Sequence, residues 1–108
     1  MTPMSMFVFV SEYRRPLEEV NEHREAHLAW LAEQYAQGRI LISGRRVPPA
    51  GGVVILHAGD LEEAKAIMAA DPFATAGVAA YEPYEFTPSA GPARSPEVES
   101  FLARAAVA

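Results

Sequence analysis

The chain has 108 residues, 50% of them hydrophobic and 21% charged, which suits one globular domain with its own core and excludes disorder along the whole length. Fourteen acidic residues against nine basic ones leave a formal charge of −5. That is the wrong sign for a surface that must neutralise phosphates, so no nucleic-acid partner is expected.

With no cysteine, disulfides and thiolate chemistry are excluded and stability rests on packing. The opening residues Met1-Thr2-Pro3-Met4-Ser5 lack a basic stretch, and no apolar run approaches the roughly 18 residues that span a bilayer. A cytoplasmic protein without a membrane partner is the expectation.

Met4 to Val10 is apolar on both parities, with Phe7 and Phe9 facing one way and Met6, Val8 and Val10 the other. This predicts a strand covered on two sides. Pro16 to Gln37 reads as one helix, opened by Pro16, favoured by Glu18 and Glu19 near its positive end and stopped by Gly38. Arg39 to Val47 and Val53 to His57 then form two strands around the turn Pro48-Pro49-Ala50-Gly51-Gly52.

Asp60 is a fitting cap for a second helix from Leu61 to about Ala70, closed by Asp71-Pro72. After a Phe73 to Gly77 connection, Val78 to Thr87 reads as a fourth strand, and Pro83 within it demands an edge position or a bulge. The expected division is a domain over residues 1–87 and a tail over 88–108. In the tail, Ser95, Pro96, Val98, Phe101 and Leu102 suggest a short helix.

The order βαββαβ predicts a ferredoxin-like α+β domain, an antiparallel four-stranded sheet with both helices on one face. The opposite face would then expose an apolar surface that a second copy can cover as a two-fold homodimer. The terminal helix folding back across the sheet is the alternative.

At about 100° per residue, Leu17, Val20, Leu28, Leu31 and Tyr35 share one stripe of the first helix, with Arg24 inside it and His27 at its edge. In the second helix Asp71 lies on the apolar face with Ala64 and Met68, at the unfavourable negative end of the dipole. Misplaced polar groups on two helices can satisfy each other: Asp71 can accept from His27 or from Arg24. A histidine oriented by a carboxylate is a general base. The same pair also reads as a structural tie between helices.

Other residues point less sharply. His23 and His27 are four apart, but Glu25 is out of place for a zinc-protease helix and the only further histidine, His57, is distant; no metal and no cofactor are expected. Ser43 and Gly44 offer a hydroxyl and an amide to a ligand, or form a bulge. Arg45 and Arg46 are suited to an anionic substrate or to solvent. Tyr81, Tyr84 and Phe86 read as core or pocket wall, and Trp30 as packing against a neighbour.

Five segments, Arg24-Glu25-Ala26-His27-Leu28, Gly38-Arg39-Ile40-Leu41-Ile42-Ser43-Gly44, Leu61-Glu62-Glu63-Ala64, Asp71-Pro72-Phe73 and Ala76-Gly77-Val78, resemble in order and spacing the YCII-related domain family. The resemblance implies a ferredoxin-like, dimeric α/β-barrel domain with a site around a His and an Asp, here His27 and Asp71, with Arg24 and Ser43 at neighbouring positions. Some members of that family are enzymes acting on small aromatic compounds, including dehydrochlorination. Two departures stand out: Arg45-Arg46 follows Ser43-Gly44 where the family often has proline, and a tail follows Thr87.

Three functions follow as expectations. One is a small-molecule acid–base enzyme with His27 and Asp71 as catalytic pair and Arg24, Ser43, Gly44 and Arg45 binding substrate. The second is a non-catalytic dimeric ligand-binding or structural module. The third is an isomerase or cofactor-free oxygenase of the broader barrel group.

Overall fold

The computed structural model describes residues 5–88 and 100–101. In chain order the elements are β1 (Ser5–Tyr13), α1 (Leu17–Glu22), α2 (Arg24–Ala36), β2 (Ile40–Arg45), β3 (Gly52–Ala58), α3 (Leu61–Ala69), α4 (Pro72–Thr75) and β4 (Ala79–Phe86). The four strands form one sheet in the order β2-β3-β1-β4, every neighbouring pair antiparallel. This is the ferredoxin-like α+β architecture. β4 is an edge strand, where Pro83 costs no ladder hydrogen bond on its open side.

Strand parity decides which side chains meet the helices. Phe7 and Phe9 of β1, with Val54 and Leu56 of β3, pack against Leu31 of α2 and Ala64 and Met68 of α3 in one core, so both helical segments cover the same face. A second cluster, Val20, Phe73, Val78 and Ala79, seals the end where α1 and α4 meet β4. Close approach of backbones at the β1–β3 end requires glycine: a Cβ on Gly51 would lie 1.9 Å from the Ser11 carbonyl oxygen.

Several boundaries differ from the sequence reading. The first helix is two: α1 ends and α2 begins at His23, whose φ of −106° and ψ of 3° leave helical geometry. The expected stripe holds only in part, on both sides of that break. Leu17, Leu28 and Tyr35 are exposed, whereas Val20, Leu31 and the unforeseen Gln34 are buried. The expected connection after Asp71 contains α4, with proline in its first turn and Asp71 as its N-cap. Asp71 therefore lies beyond the end of α3 rather than on its apolar face.

The outer face of the sheet carries Met6, Val8, Ile42, Ile55, His57 and Tyr84, by parity with the core residues. Phe101 covers one end of it: the ring is buried and meets His57 edge-on at 5.3 Å. Ile42, Tyr84 and Phe86 stay exposed. The rest of the expected terminal helix lies outside the described residues. Among the described residues, no helix is long and apolar enough to cross a membrane.

Candidate active site

Asp71 is fully buried, and three donors converge on its carboxylate. Its Oδ1 accepts from the Phe73 backbone N–H at 3.0 Å and stands 2.7 Å from His27 Nδ1. Its Oδ2 accepts from the Tyr81 hydroxyl. An ionised carboxylate only accepts, so His27 Nδ1 is the donor in this pair. Tyr81 is held well above the usual phenol range, first by burial and then by the Asp71 charge and the hydrogen bond to it. The phenol therefore remains a donor to the carboxylate.

Local structure explains why these groups are fixed. Asp71 precedes Pro72 and so takes extended backbone, and its side chain caps α4. Phe73, one residue into α4, lies flat against the His27 imidazole with centroids 3.9 Å apart and planes 6° apart. The ring is thus clamped in plane by Asp71 and face-on by Phe73.

His27 also lines a cavity of about 210 Å³ between the helices and the β2–β3 end of the sheet. Arg24, Ser43, Gly44 and Arg45 line the same cavity, together with Ser11, Tyr13, Phe73 and Tyr81. His27, Arg24, Ser43, Gly44 and Arg45 thus meet at this cavity, with Asp71 directly behind His27, whereas Arg46 does not line it.

Arg24 does not fork onto Asp71. Its Nε donates to Asn21 Oδ1 at 3.0 Å, its Nη2 lies 3.4 Å from the Tyr13 hydroxyl, and its guanidinium rests over the Phe73 ring, 5.6 Å from the centroid. The Ser43 hydroxyl pairs with the Tyr35 hydroxyl at 2.7 Å, tying β2 to α2 at the rim. Arg46 is spent on structure, donating to the Ser11 carbonyl at 3.1 Å. Arg45, opposite Gly52 in the β2–β3 register, points to the helix side and is exposed at the cavity.

Tyr13 and Phe73 were not foreseen, and Tyr81 only as wall. Tyr13 shares its parity with Phe7, Phe9 and Ser11, which is the one signal in the sequence that places it on this face. His57 stands on the outer face with Nε2 donating to the Gly38 carbonyl at 3.0 Å, far from any partnership with His27. Among the described residues, no three His, Asp or Glu side chains converge as a metal site.

Fold and site together define a ferredoxin-like domain with a carboxylate-oriented histidine facing a small, partly aromatic cavity. The chain belongs to the YCII-related domain family, whose model matches residues 6–87. No curated protein matches the sequence. Among solved structures, it is similar to 5-chloro-2-hydroxyhydroquinone dehydrochlorinase from Burkholderia phenoliruptrix AC1100 in complex with 2,5-dihydroxybenzoquinone. The TM-score is 0.65 at 22% identity, covering 83% of this chain and 99% of that one.

Proposed function

We propose that this protein is a cofactor-independent enzyme that moves a proton on a small oxygenated or aromatic metabolite, with His27 as acid–base group. The supporting observation is the placement of His27: Nδ1 on a buried carboxylate and the ring at a cavity wall. A C–H or O–H proton of the substrate passes to Nε2, and Asp71 stabilises the imidazolium so formed. Arg24 faces the negative charge that develops on the substrate, while Ser43, Gly44 and Arg45 hold the remainder.

When a C–H bond is broken, its electron pair either stays as an enolate or expels a leaving group. The second outcome is the kind of step for which the structural neighbour, a dehydrochlorinase, is named. The protein acts as a homodimer in this reading, because Ile42 and Tyr84 expose apolar area on the outer face that a second copy buries. Its cysteine-free composition suits the reducing cytoplasm.

The test is His27→Gln against wild type on a panel of chlorinated and unsubstituted hydroquinones and hydroxyquinones, following ultraviolet–visible spectra and halide release. Loss of roughly 10²–10⁴-fold in turnover with unchanged circular dichroism is expected. Retention of the wild-type rate refutes the assignment. A second reading has its own support: the same network ties α2, α4 and β4 together, as a packing device would. Unfolding of the variant, with no panel compound bound or turned over by wild type, selects that reading.

A further inference from the structure

The chain carries fourteen acidic residues and nine basic ones, yet the charged side chains lining the cavity are Arg24 and Arg45, with titratable His27 beside them and no Asp or Glu. The sign of the local charge is opposite to that of the whole protein. A concave site with low-dielectric walls focuses such a field on its contents. Asp71, hydrogen-bonded behind His27, sets one negative charge against the two guanidiniums, so the balance at the cavity stays positive.

The two guanidiniums are also uncommitted to acids. Arg24 bonds only neutral oxygens, of Asn21 and Tyr13, and the ion pairs among the described residues are Arg15 with Glu19 and His27 with Asp71. The adjacent Arg46 shows the contrast: it is anchored on the Ser11 carbonyl, while Arg45, one residue earlier in the strand, faces the helix side at the cavity. The last residue of β2 thus remains available to a ligand, while the arginine just past the strand's end is structural.

Size and walls restrict the anion. A cavity of about 150 Å³ accepts benzene, so about 210 Å³ has room for one substituted ring. Tyr13, Leu28, Phe73 and Tyr81 give it aromatic and apolar walls. Planar guanidinium forks match a carboxylate in two-point geometry.

From these observations we infer that Arg45, with Arg24, makes this cavity selective for a single-ring organic carboxylate. The inference deepens the proposed function by naming its substrate class, and rests on it for the choice of cavity.

The experiment is calorimetric titration of the full chain with benzoate, benzamide and inorganic phosphate at 50 and 500 mM NaCl, for wild type, Arg45→Gln and His27→Gln. Wild type should bind benzoate at least about tenfold tighter than benzamide, the low end for a charge-assisted pair, and lose that margin at high salt. Arg45→Gln should bring the benzoate-to-benzamide ratio near one, with Arg45→Lys intermediate.

Equal wild-type affinity for benzoate and benzamide, an unchanged ratio in Arg45→Gln, or phosphate binding as tightly as benzoate would each overturn the inference. Benzoate selectivity intact in wild type and in His27→Gln, with neither the hydroquinone panel nor its hydroxybenzoate counterparts turned over by wild type, would sink the acid–base reading and leave carboxylate selectivity standing.

Discussion

Replacing Asp71 by alanine tests the network that orients His27. The substitution removes the acceptor for the Phe73 N–H, the Tyr81 hydroxyl and His27 Nδ1, and the α4 cap with it. Buried donors left without partners cost about 1–3 kcal/mol each. His27 borders the cavity and regains water, so two donors count in full, and Asp71→Ala should destabilise the fold by about 2–6 kcal/mol.

Asp71→Asn keeps an oxygen for Phe73 and His27 and turns an amide toward the Tyr81 hydroxyl, which can rotate to accept; about 1–2 kcal/mol is expected. Urea unfolding at pH 7 and fixed protein concentration, followed by circular dichroism, separates the two. In a domain of this size each kcal/mol lowers Tm by roughly 4–8 °C. An alanine variant within about 0.5 kcal/mol of wild type, or an asparagine variant as damaged as the alanine one, would refute the reasoning, because a saturated buried carboxylate cannot be removed so cheaply.

Tyr81→Phe should change the alkaline limb of stability. The unfolded chain releases a phenol proton from about pH 10 upward, whereas the folded protein keeps the Tyr81 proton well above that. This contribution is therefore complete below pH 10 and declines as pH climbs toward the folded value, by about 1.4 kcal/mol per pH unit. Urea midpoints between pH 9 and 11 should fall more steeply for wild type than for Tyr81→Phe; parallel slopes exclude the buried donor. On the outer face, Ile42→Glu should convert a wild-type dimer to monomer in sedimentation velocity with unaltered circular dichroism. A wild type that sediments as a monomer at tens of micromolar would remove the sheet-to-sheet pairing.

Much of this architecture is written locally. The apolar run on both parities from Met4 to Val10 placed β1, Asp60 marked the start of α3, Gly38 the stop of α2, and Pro83 an edge position or a bulge in β4, because capping, glycine freedom and proline's missing donor act within a few residues of their cause. The pairing of His27 with Asp71 was legible as two polar groups out of place on apolar faces. Its partner geometry was read through the wrong element, since Asp71 caps α4 and does not belong to the face of α3.

By itself, then, the sequence determined the order of the four strands and the helical segments between them, the two faces of β1 and the misplaced pair of His27 and Asp71 that needed partners. Only the tertiary structure decided the break at His23, the third donor from Tyr81, the capture of Arg46 by Ser11 and the release of Arg45 to the cavity. Periodicity reports a side chain's direction relative to its own element. The phase between elements, and hence which of two adjacent arginines reaches a ligand or which of two helices owns a carboxylate, is set by strand order and helix packing across residues as far apart as 27 and 71.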